Sequence, residues 1–215
     1  MTGAPDIETP AQLATDEIIP VAGIVPLTTV DFPGRLALVV FTQGCRWRCG
    51  YCHNAGLRRI GQPTSWSWRQ VCAMLDERQG FLEAVVFSGG EPTLHDGLEL
   101  ALQAVRQKGF LAGLHTAGMF PERLAQLLPW LDWVGLDIKA PFDERYAELT
   151  GDDASVAKVT ASLNLLRSSE IPFQLRTTVG PGALSEPDFA ELRQQLRRMG
   201  APEPVRQDVR AVRAN

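Results

Sequence analysis

Apolar segments of strand length alternate with segments of helical periodicity along most of this chain, and this alternation limits the possible folds more than any other feature. The strand-like segments are 36–42, 84–88, 111–115, 133–139 and 172–179, and the helix-like segments are 68–79, 97–108, 121–128, 155–168 and 186–199. Strands that alternate with helices form parallel sheets with right-handed crossovers. The pattern therefore predicts an α/β fold, either a doubly wound sheet or a β/α barrel.

The chain is too short for a closed barrel. A full barrel has eight β/α units and about 250 residues, whereas this chain has 215 residues, with either a short sixth strand or a frayed end near 205–209. A barrel formed by this chain would therefore be a partial, open parallel β/α barrel of five to six units, and we expect residues 23–215 to form a single domain. Residues 1–22 contain three prolines among acidic and small residues, which is typical of a flexible N-terminal arm.

Composition excludes several classes of partner. Lys and Arg total 21 and Asp and Glu total 25, so the chain lacks the basic excess typical of nucleic-acid binding. The longest strongly apolar run, 36–41, is far shorter than the roughly 20 residues of a membrane helix, and the first residues lack the basic and apolar regions of a signal peptide. We expect a cytoplasmic protein that binds neither nucleic acid nor a membrane.

Three of the four cysteines, Cys45, Cys49 and Cys52, lie within eight residues of one another. In a reducing compartment such a group points to metal or redox chemistry. A structural zinc site of the all-cysteine kind needs four thiolates in two separated pairs, which this chain lacks. Three thiolates suit a four-iron cluster with one open iron, while zinc and a redox-sensing group remain as alternatives. Cys72 lies at helical spacing among apolar residues and is interpreted as a core residue.

Glycines and charged residues follow the later strands. They lie at 88–92, 115–118, 137–139 and 176–178. Both candidate architectures bind ligands at the carboxyl ends of their strands, so these residues and the cysteine loop are expected at one mouth. Simpler interpretations remain at each position: Gly89 and Gly90 as a tight turn, and Asp137 and Lys139 as a surface ion pair.

The cysteine loop resembles the hallmark of the radical S-adenosylmethionine superfamily. Cys45, Cys49 and Cys52 match its Cys-x3-Cys-x2-Cys pattern after the first strand, and Tyr51 provides the aromatic residue before the last cysteine. The Gly-Gly-Glu-Pro turn at 89–92 matches the next mark of the superfamily. The resemblance implies a partial barrel of the radical S-adenosylmethionine type.

A narrower resemblance is to glycyl-radical-enzyme activating proteins, most of all the activating protein of anaerobic ribonucleoside-triphosphate reductase. It rests on Asp-Phe-Pro-Gly at 31–34, Gln-Gly-Cys at 43–45, Cys-His-Asn at 52–54 and Gly-Leu-Asp-Ile-Lys-Ala-Pro at 135–141. The chain departs from related pyruvate formate-lyase activases at His115, where those enzymes favour Asp, and in its short tail.

The resemblance implies a [4Fe-4S] cluster whose open iron binds S-adenosylmethionine. Reductive cleavage gives a 5′-deoxyadenosyl radical, which takes a hydrogen atom from the substrate. The implied cluster ligands are Cys45, Cys49 and Cys52. The implied cofactor-binding residues are Tyr51 near the adenine, Gly89, Gly90 and Glu91 at the methionine ammonium, Thr116, Asp137 at the ammonium or ribose, and Lys139 and Arg176 at the carboxylate. No side chain is assigned to catalysis, and this includes His53, His95 and His115.

Two protein partners are expected. The first is a glycyl-radical enzyme, which would cover the open wall while it presents its glycine. The second follows from six arginines and no acidic residue between Phe32 and Leu75, which fit either a solvated basic face or docking of an acidic electron donor such as flavodoxin. Two other functions compete with the activase: a small-molecule radical enzyme of the 7-carboxy-7-deazaguanine synthase kind, and a non-catalytic iron–sulfur or zinc interaction module.

Overall fold

Six of the seven strands run parallel, and they lie in the sheet in the order in which they occur in the chain. The computed structural model describes residues 18–209. The strands are β1 (Val21–Thr28), β2 (Ala37–Thr42), β3 (Ala84–Gly89), β4 (Leu111–Thr116), β5 (Trp133–Asp137), β6 (Phe173–Val179) and β7 (Val205–Asp208). The helices are α1 (Trp68–Asp76), α2 (Leu98–Gln107), α3 (Pro121–Leu127), α4 (Glu144–Thr150), α5 (Ser155–Ser168) and α6 (Glu186–Arg198).

The strand order decides between the two predicted architectures. A doubly wound sheet reverses its order at a switch point, whereas this sheet runs from β1 to β7 without a reversal. Among the strands of the described residues, β7 pairs only with β6 and β1 only with β2, so the sheet does not close and has two edges. An isolated bridge also joins Val21 of β1 to Trp66. The prediction of an open, partial β/α barrel is confirmed, and β7 supplies the sixth parallel strand.

Strand β1 was missed by the sequence analysis. It pairs antiparallel with β2 at the edge of the sheet, where Pro26 is tolerated because an edge strand does not need every N–H for pairing. Val21 and Ile19 are buried, so residues 18–22, which were predicted to belong to the arm, pack against the sheet. Residues 1–17 of the predicted arm lie outside the described residues.

Two apolar layers hold the sheet. The larger layer packs the helices against its outer face, and side chains such as Leu38, Phe87 and Leu102 are fully buried there. The smaller layer lies on the inner face, where Val39, Val86 and Trp133 pack together with Phe32. The Phe32 and Trp133 rings are 5.6 Å apart, so Phe32 of the Asp-Phe-Pro-Gly segment packs against the inner face of the sheet.

The helices follow the sequence pattern closely. Helix α5 has the predicted bounds, and α1 and α6 begin at capping boxes formed by Ser67 with Gln70 and by Ser185 with Asp188. The short helix α4, capped by Asp143, was not predicted. Among the described residues, no helix has the length and apolar character that a membrane crossing requires.

Candidate functional site

A single cleft lies at the carboxyl ends of the parallel strands. It is lined by ten of the eleven residues predicted to bind the cluster or the cofactor: Cys45, Cys49, Tyr51, Cys52, Gly89, Gly90, Thr116, Asp137, Lys139 and Arg176. These residues come from the ends of four strands, β3 to β6, and from the loop after β2. Their convergence follows from parallel pairing, which brings the carboxyl end of each strand to the same edge.

The cysteine loop is fastened at both sides. At its start, the Gly44 and Cys45 amides donate to the Leu57 and Arg58 carbonyls at 2.7 and 3.1 Å. Farther along, the Trp47 indole donates to an Asp152 carboxylate oxygen at 2.9 Å, more than 100 residues away in the chain. The loop is therefore braced against the α4–α5 connection, a contact that the sequence did not reveal.

The three loop thiols are mostly withdrawn from solvent. Cys49 is 7% exposed, and Cys45 and Cys52 are half-buried. Burial, reinforced by the nearby Glu91 carboxylate, raises the pKa of the Cys45 thiol to about 12. Cys72 is buried in α1 within the outer layer, as predicted, and does not line the cleft.

Gly89 and Gly90 allow the turn after β3 to pack against the start of the cysteine loop. A Cβ atom at Gly89 would lie 2.3 Å from the Thr42 nitrogen, and one at Gly90 would lie 2.1 Å from the Gly44 carbonyl oxygen. Gly89 also has a φ of 114°, which favours glycine. The two glycines are thus required by contact with the chain itself, and they line the cleft as well.

Glu91 lies in a buried hydrogen-bond network. Its side chain is 1% exposed and does not line the cleft. One carboxylate oxygen accepts from the Thr93 amide and hydroxyl and from the Thr116 hydroxyl, and the other accepts from the Ala117 amide. Burial raises the pKa of Glu91, although these bonds oppose the rise. Glu91 ties the turn after β3 to the end of β4 and holds Thr116 in place, and its role at the cofactor ammonium stays a prediction.

Asp137, Lys139 and Arg176 form one charged group in the cleft. The Arg176 Nε and Nη2 atoms donate to one Asp137 oxygen at 3.0 and 2.9 Å, and the Lys139 ammonium lies 3.4 Å from the other oxygen. Burial alone would raise the pKa of Asp137, but the positive charges of Arg176 and Lys139 outweigh it and hold this pKa at about 2. The cleft thus carries one carboxylate and two cations.

His115 connects the charged group to Asp31, the first residue of the Asp-Phe-Pro-Gly segment. Its Nε2 atom lies 2.9 Å from the Asp31 carbonyl oxygen, and the Arg176 Nη1 atom lies 2.9–3.0 Å from its ring nitrogens. Burial, together with the Arg176 charge, lowers the pKa of His115 to about 4. The imidazole is therefore neutral near pH 7. It contacts the Arg176 Nη1 atom and so positions the guanidinium whose other two nitrogens bind Asp137.

Several cleft residues were not predicted as site residues. They are Trp47, His53, Asn54, Ser88, His115, Ala117, Thr178 and Gln207. Alternation in β6 could have identified Thr178, because it lies on the same strand face as Arg176. Gln207 lies in β7, whose existence the sequence left open. Tyr51 lines the cleft as predicted, and burial raises its pKa to about 12.

Comparison with known families identifies the family of this chain. The family model described as the radical SAM superfamily matches residues 39–196, which include the cysteine loop and every strand end described above except that of β7. The chain belongs to the radical SAM superfamily. Membership of this superfamily implies S-adenosylmethionine and an iron–sulfur cluster as cofactors, and the activity is that of a radical SAM enzyme.

Two curated relatives of this radical SAM enzyme carry a narrower name. A protein of Methanocaldococcus jannaschii named as a glycyl-radical enzyme activating enzyme is 30% identical over 179 residues, which cover 80% of this chain and 73% of the relative. The pyruvate formate-lyase-activating enzyme of Listeria monocytogenes serovar 1/2a is 31% identical over 175 residues, covering 74% of this chain and 68% of that enzyme. The resemblance to the activating-enzyme family is confirmed.

Solved structures support the fold of this radical SAM enzyme. The structure of TYW1 with a bound lysine–pyruvate adduct matches with a TM-score of 0.60 at 15% identity and covers 83% of this chain. The match spans 66% of the TYW1 chain. At this identity the similarity concerns the barrel architecture alone.

The residues present fit the implied cofactors. Three thiols, the preferred ligands of iron–sulfur clusters, line one side of the cleft. Beside them lie cations that match a carboxylate and an Asp137 carboxylate that matches an ammonium. Cys45, Cys49 and Cys52 would hold the cluster, and Asp137, Lys139 and Arg176 would hold the amino-acid end of S-adenosylmethionine.

Proposed function

We propose that this chain activates a glycyl-radical enzyme, with a [4Fe-4S] cluster held by Cys45, Cys49 and Cys52. The observation that carries the proposal is the single cleft in which the three thiols face the Asp137, Lys139 and Arg176 group. The names of its relatives support the same activity. When bound, the cluster would supply the one electron that cleaves S-adenosylmethionine to methionine and a 5′-deoxyadenosyl radical. That radical would take a hydrogen atom from a glycine of the partner, leaving 5′-deoxyadenosine and a glycyl radical.

The chain's own residues bind and orient S-adenosylmethionine. Arg176 and Lys139 pair with the carboxylate of S-adenosylmethionine, and Asp137 accepts from its ammonium. Glu91 fixes Thr116 and the turn at 89–90, and Tyr51 lies beside the adenine. The free edges of the sheet leave one side of the barrel open, and the partner's glycine loop enters there.

The first experiment tests cluster and cofactor chemistry. Anaerobic reconstitution should give about four irons and four sulfides per chain, without bound zinc, and addition of S-adenosylmethionine with a reductant should release 5′-deoxyadenosine. Cys49→Ser should lose the cluster. Cys72→Ala is the matched control, and it should keep both the cluster and the cleavage activity. Bound zinc, or a cluster that never cleaves S-adenosylmethionine, would support the non-catalytic module instead.

The second experiment tests the partner. We propose anaerobic ribonucleoside-triphosphate reductase as the glycyl-radical enzyme and a cytoplasmic location for the reaction, because the loop thiols must stay reduced. The reduced enzyme is mixed anaerobically with purified reductase or with pyruvate formate-lyase, and electron paramagnetic resonance records the glycyl radical. A radical on pyruvate formate-lyase alone would mean that this enzyme, and not the reductase, is the partner. Consumption of a small molecule with no radical on either protein would favour a small-molecule enzyme.

A further inference from the structure

A groove beside the cysteine loop carries four arginines. We call it the arginine groove, and it is lined by Cys45, Arg46, Trp47, Arg48, Arg58, Arg59 and Ile60. Arg46, Arg48 and Arg59 are exposed, and Arg58 is half-buried. The hydrogen bonds that join Gly44 and Cys45 to Leu57 and Arg58 bring the two pairs of arginines together.

These four arginines are not neutralised within the described residues. None of them lies within 4.0 Å of a carboxylate oxygen of residues 18–209; Arg46 stacks over the Phe120 ring, and Arg58 Nε donates to a backbone carbonyl. Elsewhere the arginines are mostly paired. Those within 3.0 Å of a carboxylate are Arg35, Arg106, Arg145, Arg176, Arg193, Arg197 and Arg206.

The groove meets the cluster site at one ligand. Cys45 and Trp47 line both the arginine groove and the cofactor cleft, and the two cavities share no other lining residue. A molecule in the groove therefore reaches a cluster ligand without entering the cleft. The cleft and the open side of the barrel stay available to S-adenosylmethionine and to the glycyl-radical enzyme.

We propose that the arginine groove is the docking surface of an acidic redox protein that reduces the cluster through the Cys45 side. This inference rests on the proposed function, which requires an electron that the chain does not supply. One electron passes from the reduced donor to the oxidised cluster, so the donor is oxidised by one electron and the cluster is reduced by one.

Charge and shape favour a protein donor at this place. The chain has a net charge of −4, so its overall charge repels an acidic protein, whereas the unneutralised arginines of the groove attract one locally. Complementary charges steer encounter and weaken with salt. Ile60 lines the groove and is 59% exposed. It offers a docking protein an apolar contact beside the arginines.

The experiment uses reduced flavodoxin as the probe and the reconstituted full chain. The variant Arg58→Glu/Arg59→Glu reverses two charges outside the cysteine loop, and Arg198→Glu, an exposed arginine of α6 outside the groove, is the matched control. We expect the double variant to bind flavodoxin at least about tenfold more weakly at low salt, with the difference shrinking as salt rises. The control should stay within about twofold.

A second arm separates docking from a general defect. Photoreduced deazaflavin, a small uncharged reductant, should reduce the cluster of the double variant at the wild-type rate and support the same release of 5′-deoxyadenosine. Unchanged flavodoxin binding, or equal slowing with deazaflavin, would overturn the proposal. Duplex DNA that binds as tightly as flavodoxin and loses affinity in the same variant would overturn it too, because the groove would then be a general polyanion surface. The proposed function fails separately, if wild type with deazaflavin releases no 5′-deoxyadenosine.

Discussion

Arg176 binds Asp137 through two nitrogens, Nε at 3.0 Å and Nη2 at 2.9 Å, and both meet the same carboxylate oxygen. The second Asp137 oxygen faces Lys139 and the cleft. The guanidinium fork thus fixes the direction of the carboxylate, which a lysine ammonium cannot reproduce. The charged group is prearranged before any cofactor binds.

Arg176→Lys should therefore weaken binding of S-adenosylmethionine by about tenfold, because the fork to Asp137 and the contact with His115 are both lost. Equilibrium dialysis with the anaerobic, cluster-loaded chain measures the affinity. Arg106→Lys makes the same substitution in an ion pair outside the cleft, that of Arg106 with Asp132, and serves as the control. Equal affinities in all three proteins would contradict the assignment of Arg176 to the cofactor.

His115 should make stability depend on pH. Its native pKa is about 4, below the ordinary value of 6.5, so the unfolded chain binds the proton more readily. The free energy of unfolding should be fully present above about pH 6.5 and fall as pH drops from there to about 4, by up to about 1.4 kcal/mol per pH unit. Urea denaturation of wild type and His115→Gln measures this slope.

The His115→Gln variant should lose this contribution to the slope, whereas His53→Gln, a change at an exposed residue, should keep it. An unchanged slope in His115→Gln would mean that the imidazole titrates alike in both states. Asp137, with its pKa of about 2, loses its contribution progressively below about pH 5, so the slopes of the variants are compared above that pH.

Glu91→Gln should destabilise the chain by about 2–3 kcal/mol. The amide presents N–H groups where the carboxylate accepts from Thr116 or from Ala117, so a buried donor loses its partner. Urea denaturation measures the change, with the exposed Glu122→Gln as the control. A change below about 0.5 kcal/mol would show that the four bonds are dispensable.

Gly90→Ala should prevent native folding of the site. Its Cβ would lie 2.1 Å from the Gly44 carbonyl oxygen, and backbone on both sides leaves no flexible group to move. We expect a loss of more than about 3 kcal/mol and a failure to retain iron. Gly50→Ala, in the cysteine loop and with no atom within 4 Å of its added Cβ, should fold like wild type. Normal iron content in Gly90→Ala would refute the close packing.

Trp47→Phe should loosen the cysteine loop by removing its bond to Asp152. Supporting contacts of this kind typically affect metal affinity by tenfold or more, so chelator should remove iron from the variant about tenfold faster. Trp130→Phe removes another indole-to-carboxylate bond, to Glu99, away from the loop and should leave the rate unchanged. Identical rates in the two variants would argue against the brace.

Elements with strong periodicity could be predicted from the sequence, and weakly marked ones could not. Helices α1 and α2 were placed within three residues of their observed bounds because apolar side chains recur along one face of each. Strand β1 was missed because Gly23 and Pro26 interrupt its pattern, although an edge position tolerates both. Helices α3 and α4 both have seven residues, too few for a clear periodic signal. Helix α3 was predicted because Pro121 marks its start, whereas α4 has no proline at its start.

The site shows the same division between pattern and packing. The cysteine loop and the strand ends were recognisable, since parallel pairing gathers strand ends whatever the side chains. The direction of the Glu91 side chain was not, because it depends on donors from Thr93, Thr116 and Ala117 that meet only in the folded chain. The Trp47–Asp152 bond joins positions 105 residues apart, which no local pattern encodes.

The free edges of the sheet at β1 and β7 have a consequence for timing. An open barrel cannot shield a carbon radical from solvent by itself. Cleavage of S-adenosylmethionine before a partner covers the opening would therefore consume the cofactor without product and could damage the enzyme. For such an enzyme, suppression of S-adenosylmethionine cleavage before the partner binds matters as much as the rate of cleavage afterwards.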